Sequence, residues 1–268
     1  MSANDPAATA ALGGSAPWRA VSGRDILRWP LPAAGFVNRL VQRSVGYLAN
    51  RQLGAIHGLD NLRGAREPYL VGVNHSIKRE ALLVPSLLIL HRGGRWCPFV
   101  ADWNYALIPV VGWVMRRSGA IFVTRKPARP AFLNPLKRFY LSEASTAERV
   151  RALLRRGQSV GMFPEGTVNR SRDRLLPGRL GLAFMSLQNA APVIPVGVRF
   201  PGADPREPIP EDAVMDIHIG SPLEPPAIAG DRPPIGDVRM WHATVMTEIA
   251  RLSGKAWGPQ PRSGDDAS

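Results

Sequence analysis

Residues 69–80 read Tyr69-Leu70-Val71-Gly72-Val73-Asn74-His75-Ser76-Ile77-Lys78-Arg79-Glu80 and pass directly into Ala81-Leu82-Leu83-Val84-Pro85-Ser86-Leu87-Leu88. The first five residues form a short unbroken apolar run, the pattern of a strand buried on both faces. The run from Ala81 begins an apolar helix. A strand that ends in polar residues and hands over to a helix is the repeating unit of an α/β fold, and ligands gather at the carboxyl ends of such strands. His75 and Glu80 are five positions apart. On one ideal helix they would point away from each other, because helical neighbours are three or four apart. They meet only if the chain bends between them, and Ser76 is the expected N-cap at that bend. Brought together, the carboxylate would orient the imidazole and His75 would serve as a general base. Taken alone, the spacing also fits a chance histidine near a solvated glutamate, so the rest of the chain has to decide.

Outward from this stretch the same alternation continues. Gly54–His57 is strand-like, and a helix reaches about Leu90 before Gly93-Gly94 end it. A strand is expected near Trp96–Ala101 and another over Gly119–Val123. Ser145-Thr146-Ala147-Glu148 is a capping box that opens a helix to Arg156. Ser159–Phe163, Val193–Phe200 and Asp216–Ile219 read as strands, Arg179–Ala190 and Ile235–Leu252 as helices. Residues 127–141 contain three prolines and are expected to be a loop. The chain is therefore read as α/β, a mainly parallel mixed sheet flanked by helices, with an N-terminal amphipathic helical segment.

Residues 1–17 are expected to form a disordered tail, 18–53 the amphipathic segment, 54–256 the main domain and 257–268 a second tail. In residues 18–53, Phe36, Val37, Leu40, Val41, Tyr47 and Leu48 recur at helical spacing, Arg39, Arg43 and Arg51 lie on another face, and Trp18 and Trp29 stand nearby. This suits a helix lying on an anionic bilayer. It equally suits a helix packed on the main domain with its arginines in water.

The formal net charge is +13, which asks for an anionic partner: nucleic acid, a membrane surface or a phosphorylated substrate. No stacking platform or nucleic-acid motif accompanies the charge, so nucleic acid is not expected. The single cysteine, Cys97, excludes a disulfide framework and a cysteine-based zinc site, and its apolar setting makes it core. No apolar run of about 18 residues is present, so no transmembrane helix is expected. The first seventeen residues lack a basic start and are not expected to form a signal peptide, so Asn169-Arg170-Ser171 is not expected to act as a glycosylation acceptor.

Three more segments place polar groups at strand ends. Gly119-Ala120-Ile121-Phe122-Val123-Thr124-Arg125 delivers an arginine whose guanidinium suits phosphate, although taken alone it reads as a solvated strand-end arginine. Phe163-Pro164-Glu165-Gly166-Thr167 is a strand end and turn carrying a carboxylate. Arg170, Arg172, Arg174 and Arg179 follow it, a basic run that fits either a docking place for an anionic group or solvated surface. Val193-Ile194-Pro195-Val196-Gly197-Val198 is an apolar strand broken by proline, expected near an edge or bulge.

Together and in this order, the four segments resemble the glycerolipid acyltransferases that include 1-acylglycerol-3-phosphate acyltransferases. That family carries Asn-His-x4-Asp, Gly-x-x-Phe-x-x-Arg, Phe-Pro-Glu-Gly-Thr and an apolar Pro-containing strand, matched here by Asn74-His75…Glu80, Gly119…Phe122…Arg125, Phe163–Thr167 and Val193–Val198. The resemblance spans roughly residues 55–222, flanking Ser171-Arg172-Asp173 and Gly220-Ser221-Pro222 included. Two departures stand out. Glu80 replaces an aspartate, and the added methylene shifts the carboxylate by about an ångström, enough to cost about a hundredfold in rate unless the backbone compensates. Gly178-Arg179 stands where many relatives have an aromatic and a lysine.

The resemblance implies transfer of a fatty acyl group from acyl-CoA or acyl carrier protein to a lysophospholipid hydroxyl, without an acyl-enzyme, a metal or a cofactor. It implies His75 as base, Glu80 as its partner, Arg125 on the acceptor phosphate, and Glu165, Gly166, Thr167 and Arg179 around the acceptor. It also implies a peripheral protein on the cytoplasmic face of a membrane. Acylation of an ornithine lipid or glycolipid, and an inactive lipid-binding homologue, are the alternatives. His57, His91, His218 and His242 have no carboxylate at a useful spacing in a motif and are not expected to be the base.

Overall fold

The computed structural model describes residues 16–17, 21–123, 127–128, 130–140, 144–202, 207–228 and 232–258. In chain order the elements are β1 (Ala16–Pro17), α1 (Gly23–Arg28), α2 (Phe36–Ala49), β2 (Leu53–His57), α3 (Leu59–Arg63), β3 (Leu70–Val73), α4 (Glu80–His91), β4 (Val100–Asp102), α5 (Pro109–Arg117), β5 (Ile121–Val123), α6 (Thr146–Arg155), β6 (Val160–Met162), α7 (Gly181–Asn189), β7 (Val193–Arg199), β8 (Met215–Ile219) and α8 (Ile235–Ser253). Six strands form one sheet in the order β1-β2-β8-β7-β3-β6, and β4 and β5 form a parallel pair beside it. β3 runs parallel to β6 and β7, and β2 parallel to β8; β1–β2 and β7–β8 are antiparallel. The expected mainly parallel mixed sheet flanked by helices is the observed architecture.

All four residues of β3 are buried, as its unbroken apolar run requires. One core face gathers β3, β7 and β8 with α1, α4 and the residues Trp29, Leu31 and Ala34; the other packs β6, α6, α7 and α8. A parallel bridge between Phe99 and Gly161 joins the β4–β5 pair to β6. The Ser145 capping box is formed at the start of α6: the Ser145 side chain accepts from the Glu148 amide, and Glu148 accepts from the Ser145 amide.

Several expectations are corrected. Residues 21–53 are two helices and a 3-10 turn rather than one helical segment, and their inner face belongs to the main core. Trp29 is buried there, its Nε1–H donating to the Leu90 carbonyl at 3.1 Å, so it does not stand at a surface. Trp18 lies outside the described residues. The strand expected at Trp96–Ala101 forms only at Val100–Asp102. Residues Ala131–Phe139, expected as loop, form a 3-10 helix in spite of Pro135.

Val193–Arg199 is not near an edge but sits between β8 and β3. Its proline is tolerated for a local reason. The Pro195 carbonyl accepts from Gly220 N–H on the β8 side, so the missing Pro195 N–H points there too. Regular β8 pairing has ended one residue earlier, at Val196 opposite Ile219. The missing donor therefore falls at the last position of the β8 ladder, where a single bond is forfeited and the pairing ends anyway.

Ala16 and Pro17, expected in a tail, pair with Ile56 and Ala55 of β2, while residues 1–15 and 259–268 lie outside the described residues. At the other end packing continues past 256. Trp257 stacks edge-on against His242 and donates to the Pro177 carbonyl at 3.2 Å.

Candidate active site

β3 and β6 are parallel neighbours, so the loops after Val73 and Met162 leave the same edge of the sheet. The first carries Asn74-His75-Ser76 and the second Phe163–Thr167. Between Val73 and Glu80 the chain bends as the sequence requires, but not by the expected cap. α4 starts at Glu80, its N-cap is Arg79 with no side-chain bond, and Ser76 lies four residues upstream. Ser76 works through its backbone instead: its N–H donates to Glu80 Oε2 at 2.7 Å. The same oxygen lies 3.0 Å from His75 Nδ1. An ionised carboxylate only accepts, so Nδ1 carries the proton and Nε2 is left as the basic nitrogen.

Glu80 is fully buried. Burial raises its carboxyl above the ordinary range; the His75 bond and charge and the amides of Ser76 and Ile77 oppose that shift. The His75 ring stacks on Phe163 with centroids 4.3 Å apart, which fixes its plane.

The second loop braces the first. Glu165 Oε1 accepts from the His75 N–H at 2.9 Å, and the His75 carbonyl accepts from the Asn169 N–H at 2.7 Å. Glu165 Oε2 accepts from Asn169 Nδ2 at 2.7 Å and from the Leu176 N–H at 2.9 Å. The carboxylate is thus committed to the protein, and Glu165 is buried behind the cavity wall. Asn74 fixes the loop from the other side, its amide exchanging bonds with the Val198 backbone. Gly166 closes the turn at φ 70°, a conformation that a side chain disfavours.

Replacing Glu165 with glutamine would set an amide against donors already in place. We expect a loss of about 3 kcal/mol and a melting midpoint lowered by about 8 °C. An unchanged midpoint would show that the carboxylate does not hold this loop.

A cavity of about 620 Å³ opens at this edge of the sheet. Its lining includes the polar residues His75, Lys78, Asn104, Thr167 and Arg179 and an apolar wall with Met115, Met162, Leu182 and Met185. Gly166 also lines it. The structure therefore brings together His75, Glu80, Gly166, Thr167 and Arg179, with Glu165 behind them. Arg125 lies outside the described residues; β5, the strand that leads to it, ends at Val123.

Of Arg170, Arg172, Arg174 and Arg179, only Arg179 lines the cavity. Arg170 bonds the Ile209 carbonyl and Glu211, Arg172 the Glu207 carbonyl, and Arg174 the Gly258 carbonyl. The Gly178 departure has a steric basis. Its φ is 80°, and a Cβ there would lie 2.9 Å from the His242 ring.

The remaining histidines are placed for packing. His57 and His218 stack on each other, His242 donates to the Pro177 carbonyl, and burial pushes His91 down to about 3. Cys97 is core as expected; burial pushes its thiol up to about 11.

Sequence reasoning missed Asn169, Lys78 and Asn104. Asn169 was visible only as a glycosylation acceptor, and its loop-bracing role depends on contacts across the fold. Lys78 was legible as the cation three residues after His75.

A family model described as Acyltransferase matches residues 55–199, more than half of the chain. The chain belongs to the acyltransferase family. Its 1-acyl-sn-glycerol-3-phosphate acyltransferase relative from the Brassica napus chloroplast is 31% identical over 142 residues, 53% of this chain and 36% of the relative. A Borreliella burgdorferi protein of the same name is 33% identical over 102 residues, 37% of this chain and 36% of that one. The chain thus matches about a third of the length of these curated relatives. The crystal structure of the lysophosphatidate acyltransferase PlsC from Thermotoga maritima superposes with a TM-score of 0.54, covering 83% of each chain at 16% identity, a likeness of fold. The family match contains His75, Glu80 and the Phe163–Thr167 segment, which gives the acyltransferase motifs their place in this fold.

Proposed function

We propose that the protein transfers a fatty acyl group from a thioester, acyl-CoA or acyl carrier protein, to the free hydroxyl of a lysophospholipid, with 1-acylglycerol-3-phosphate giving phosphatidate. The observation that carries this reading is one cavity lined by His75, whose ring Glu80 holds from behind, by two cations (Lys78 and Arg179) and by an apolar wall. An acyl chain, a phosphate and a hydroxyl to be deprotonated are what such a lining accommodates.

In this reading His75 Nε2 takes the hydroxyl proton as the oxygen attacks the thioester carbonyl. The tetrahedral intermediate collapses, the carbon–sulfur bond breaks, and the proton passes from the imidazolium to the leaving thiolate. Glu80 stabilises the imidazolium and holds its tautomer. Lys78, Arg179 and, by its motif, Arg125 pair with the acceptor phosphate. The thioester supplies the driving force, so the reaction asks for no cofactor.

The test is acyl transfer by purified protein from labelled oleoyl-CoA, with 1-acylglycerol-3-phosphate, lyso-ornithine lipid and buffer as parallel acceptors. Labelled phosphatidate formed faster than any other product supports the reading. Product only with the non-phosphate acceptor overturns it.

The proposed acceptor resides in a bilayer, and we extend the reading to a peripheral protein on the cytoplasmic face. No helix among the described residues is long and apolar enough to cross a membrane. The outer side of α2 carries Phe36, Leu40 and Leu48, each more than half exposed, while Gln42, Val45, Gly46 and Ala49 face inward. Arg39 and Arg43 bond the carbonyls of Ala34 and Trp29, leaving the apolar stripe outermost. Arg117 bonds Asn38, and Arg116 bonds the Tyr140 hydroxyl, so exposed Val110 and Trp113 of α5 and Phe132 and Phe139 lie on segments tied to it.

Removing residues 1–53 would take away part of the core. The informative variant is the double substitution Leu40→Asp, Leu48→Asp. We expect it to lower sedimentation with phosphatidylglycerol vesicles about tenfold while leaving thermal unfolding unchanged. Undiminished sedimentation would remove α2 from the docking face.

A further inference from the structure

Lys255 stands 180 residues after His75 and in none of the four motifs, yet its ammonium lies beside the catalytic loop. α8 ends at Ser253, and the chain turns through Gly254 and pairs with the 173–175 segment: Ala256 N–H donates to the Asp173 carbonyl at 2.7 Å and Leu175 N–H to the Ala256 carbonyl at 2.9 Å. This pairing carries Lys255 inward, where it is only 6% exposed. Its Nζ donates to Ser76 Oγ at 2.8 Å and to the Ser171 carbonyl at 2.6 Å. Ser76 is the residue whose own N–H bonds Glu80 Oε2. One ammonium thus holds the residue between base and carboxylate, and ties it to the loop that follows Glu165 and Asn169.

The charges around it give this contact a purpose. Glu80 and Glu165 are both buried carboxylates, and a buried charge is expensive unless a partner offsets it. The charged groups facing Lys255 are Glu165, Glu80, Arg172 and Asp173; His75 and, more weakly, Tyr105 face Glu80. Burial pulls the ammonium below the ordinary lysine range, while Glu165 and Glu80 draw it back up. A neutral residue at this position would leave Arg172 as the cation of that group. The Arg172 side chain, however, is directed to the Glu207 carbonyl.

We propose that Lys255 is a positioning residue for the His75–Glu80 pair: it keeps Glu80 charged inside the protein and holds the Ser76 amide on that carboxylate. This rests on the reading of His75 as the base. Removing a nearby cation makes every proton uptake by the pair easier. The protonated, inactive pair then persists to higher pH, and activity is lost sooner as pH falls.

The test uses the full chain with Lys255→Gln, which retains hydrogen-bond donors but no charge, and Lys255→Arg, which retains the charge. The first readout is the pH profile of acyl transfer from oleoyl-CoA to 1-acylglycerol-3-phosphate. The second is the titration of the His75 ring followed by NMR on histidine-labelled protein, assigned by its loss in His75→Ala. We expect the acid limb and the His75 titration to move up by about one pH unit in Lys255→Gln and to stay in place in Lys255→Arg. Unmoved titration in Lys255→Gln, whatever the fall in rate or melting temperature, would overturn the proposal and leave Lys255 a structural tie. An equal shift in Lys255→Arg would also overturn it. If Lys255→Gln does not fold, Lys255→Met is read in the same way. If the wild type forms no product, the acyl-transfer reading has failed, and the His75 titration alone decides the role of Lys255.

Discussion

Replacing His75 with alanine is expected to lower acyl transfer by about a thousandfold or more while the protein stays folded. The expectation follows from where the ring sits. Its Nδ1 is taken by Glu80 and its plane is set by Phe163, so Nε2 is the nitrogen left to take a proton from a hydroxyl in the cavity. The other histidines do not line that cavity. His91 is buried and held neutral, and His57 and His218 are stacked against each other in β2 and β8. No other histidine among the described residues is placed to substitute.

The fold should tolerate the change because the backbone of residue 75 carries the bracing bonds. Its N–H to Glu165 and its carbonyl to Asn169 do not depend on the side chain. Glu80 loses one of its partners but keeps the Ser76 amide, and its carboxyl is already raised by burial, so it can take up a proton in compensation. The measurement is labelled product per unit time beside circular dichroism and a melting curve. A variant that keeps its midpoint and also keeps a tenth of the wild-type rate would remove His75 from the role of base.

Much of this arrangement was legible because it is local. β3 announces itself by an unbroken apolar run, and the His75–Glu80 spacing demanded a bend that the structure contains. The capping box at Ser145 is a four-residue device, and it forms as read. What was not legible depends on residues far apart in the chain. Ser76 looked like an N-cap because caps are read from adjacent sequence; its actual partners are Glu80 below and Lys255 at the far end of the chain. Pro195 looked like an edge signal because proline lacks a donor, but whether the donor is missed depends on where β8 stops. Glu165 reads as a turn carboxylate, free to meet a ligand, until Asn169, Leu176 and the His75 amide converge on it. The arginines after it read as one basic cluster, and contacts with residues 207–211 and Gly258 separate them. Polar side chains find partners through topology, and a periodicity argument carries no information about that.

Glu80→Gln is expected to cost about a thousandfold in rate, and Glu80→Asp between about tenfold and a hundredfold. The two substitutions separate charge from reach. Glutamine preserves length but loses the anion, and it can turn either its oxygen or its amide toward His75. With the amide facing the ring, Nδ1 has no proton to donate and Nε2 becomes the protonated nitrogen, useless as a base. With the oxygen facing the ring, the tautomer survives but the imidazolium formed during transfer meets no buried negative charge. Both outcomes cut the rate while leaving substrate binding in place, so kcat should fall more than KM rises.

Aspartate preserves the anion but withdraws it by one methylene from a helix start that has grown around glutamate. In this chain the longer side chain already spans to both its partners, 3.0 Å to His75 Nδ1 and 2.7 Å to the Ser76 N–H. The backbone has accommodated the extra length, and an aspartate at position 80 would have to shift α4 to regain both bonds. That is why the shorter carboxylate should be the worse residue here. A Glu80→Asp protein as fast as the wild type would mean that the loop adjusts freely to either length. A Glu80→Gln protein as fast as the wild type would mean that the carboxylate holds the loop and takes no part in the proton transfer.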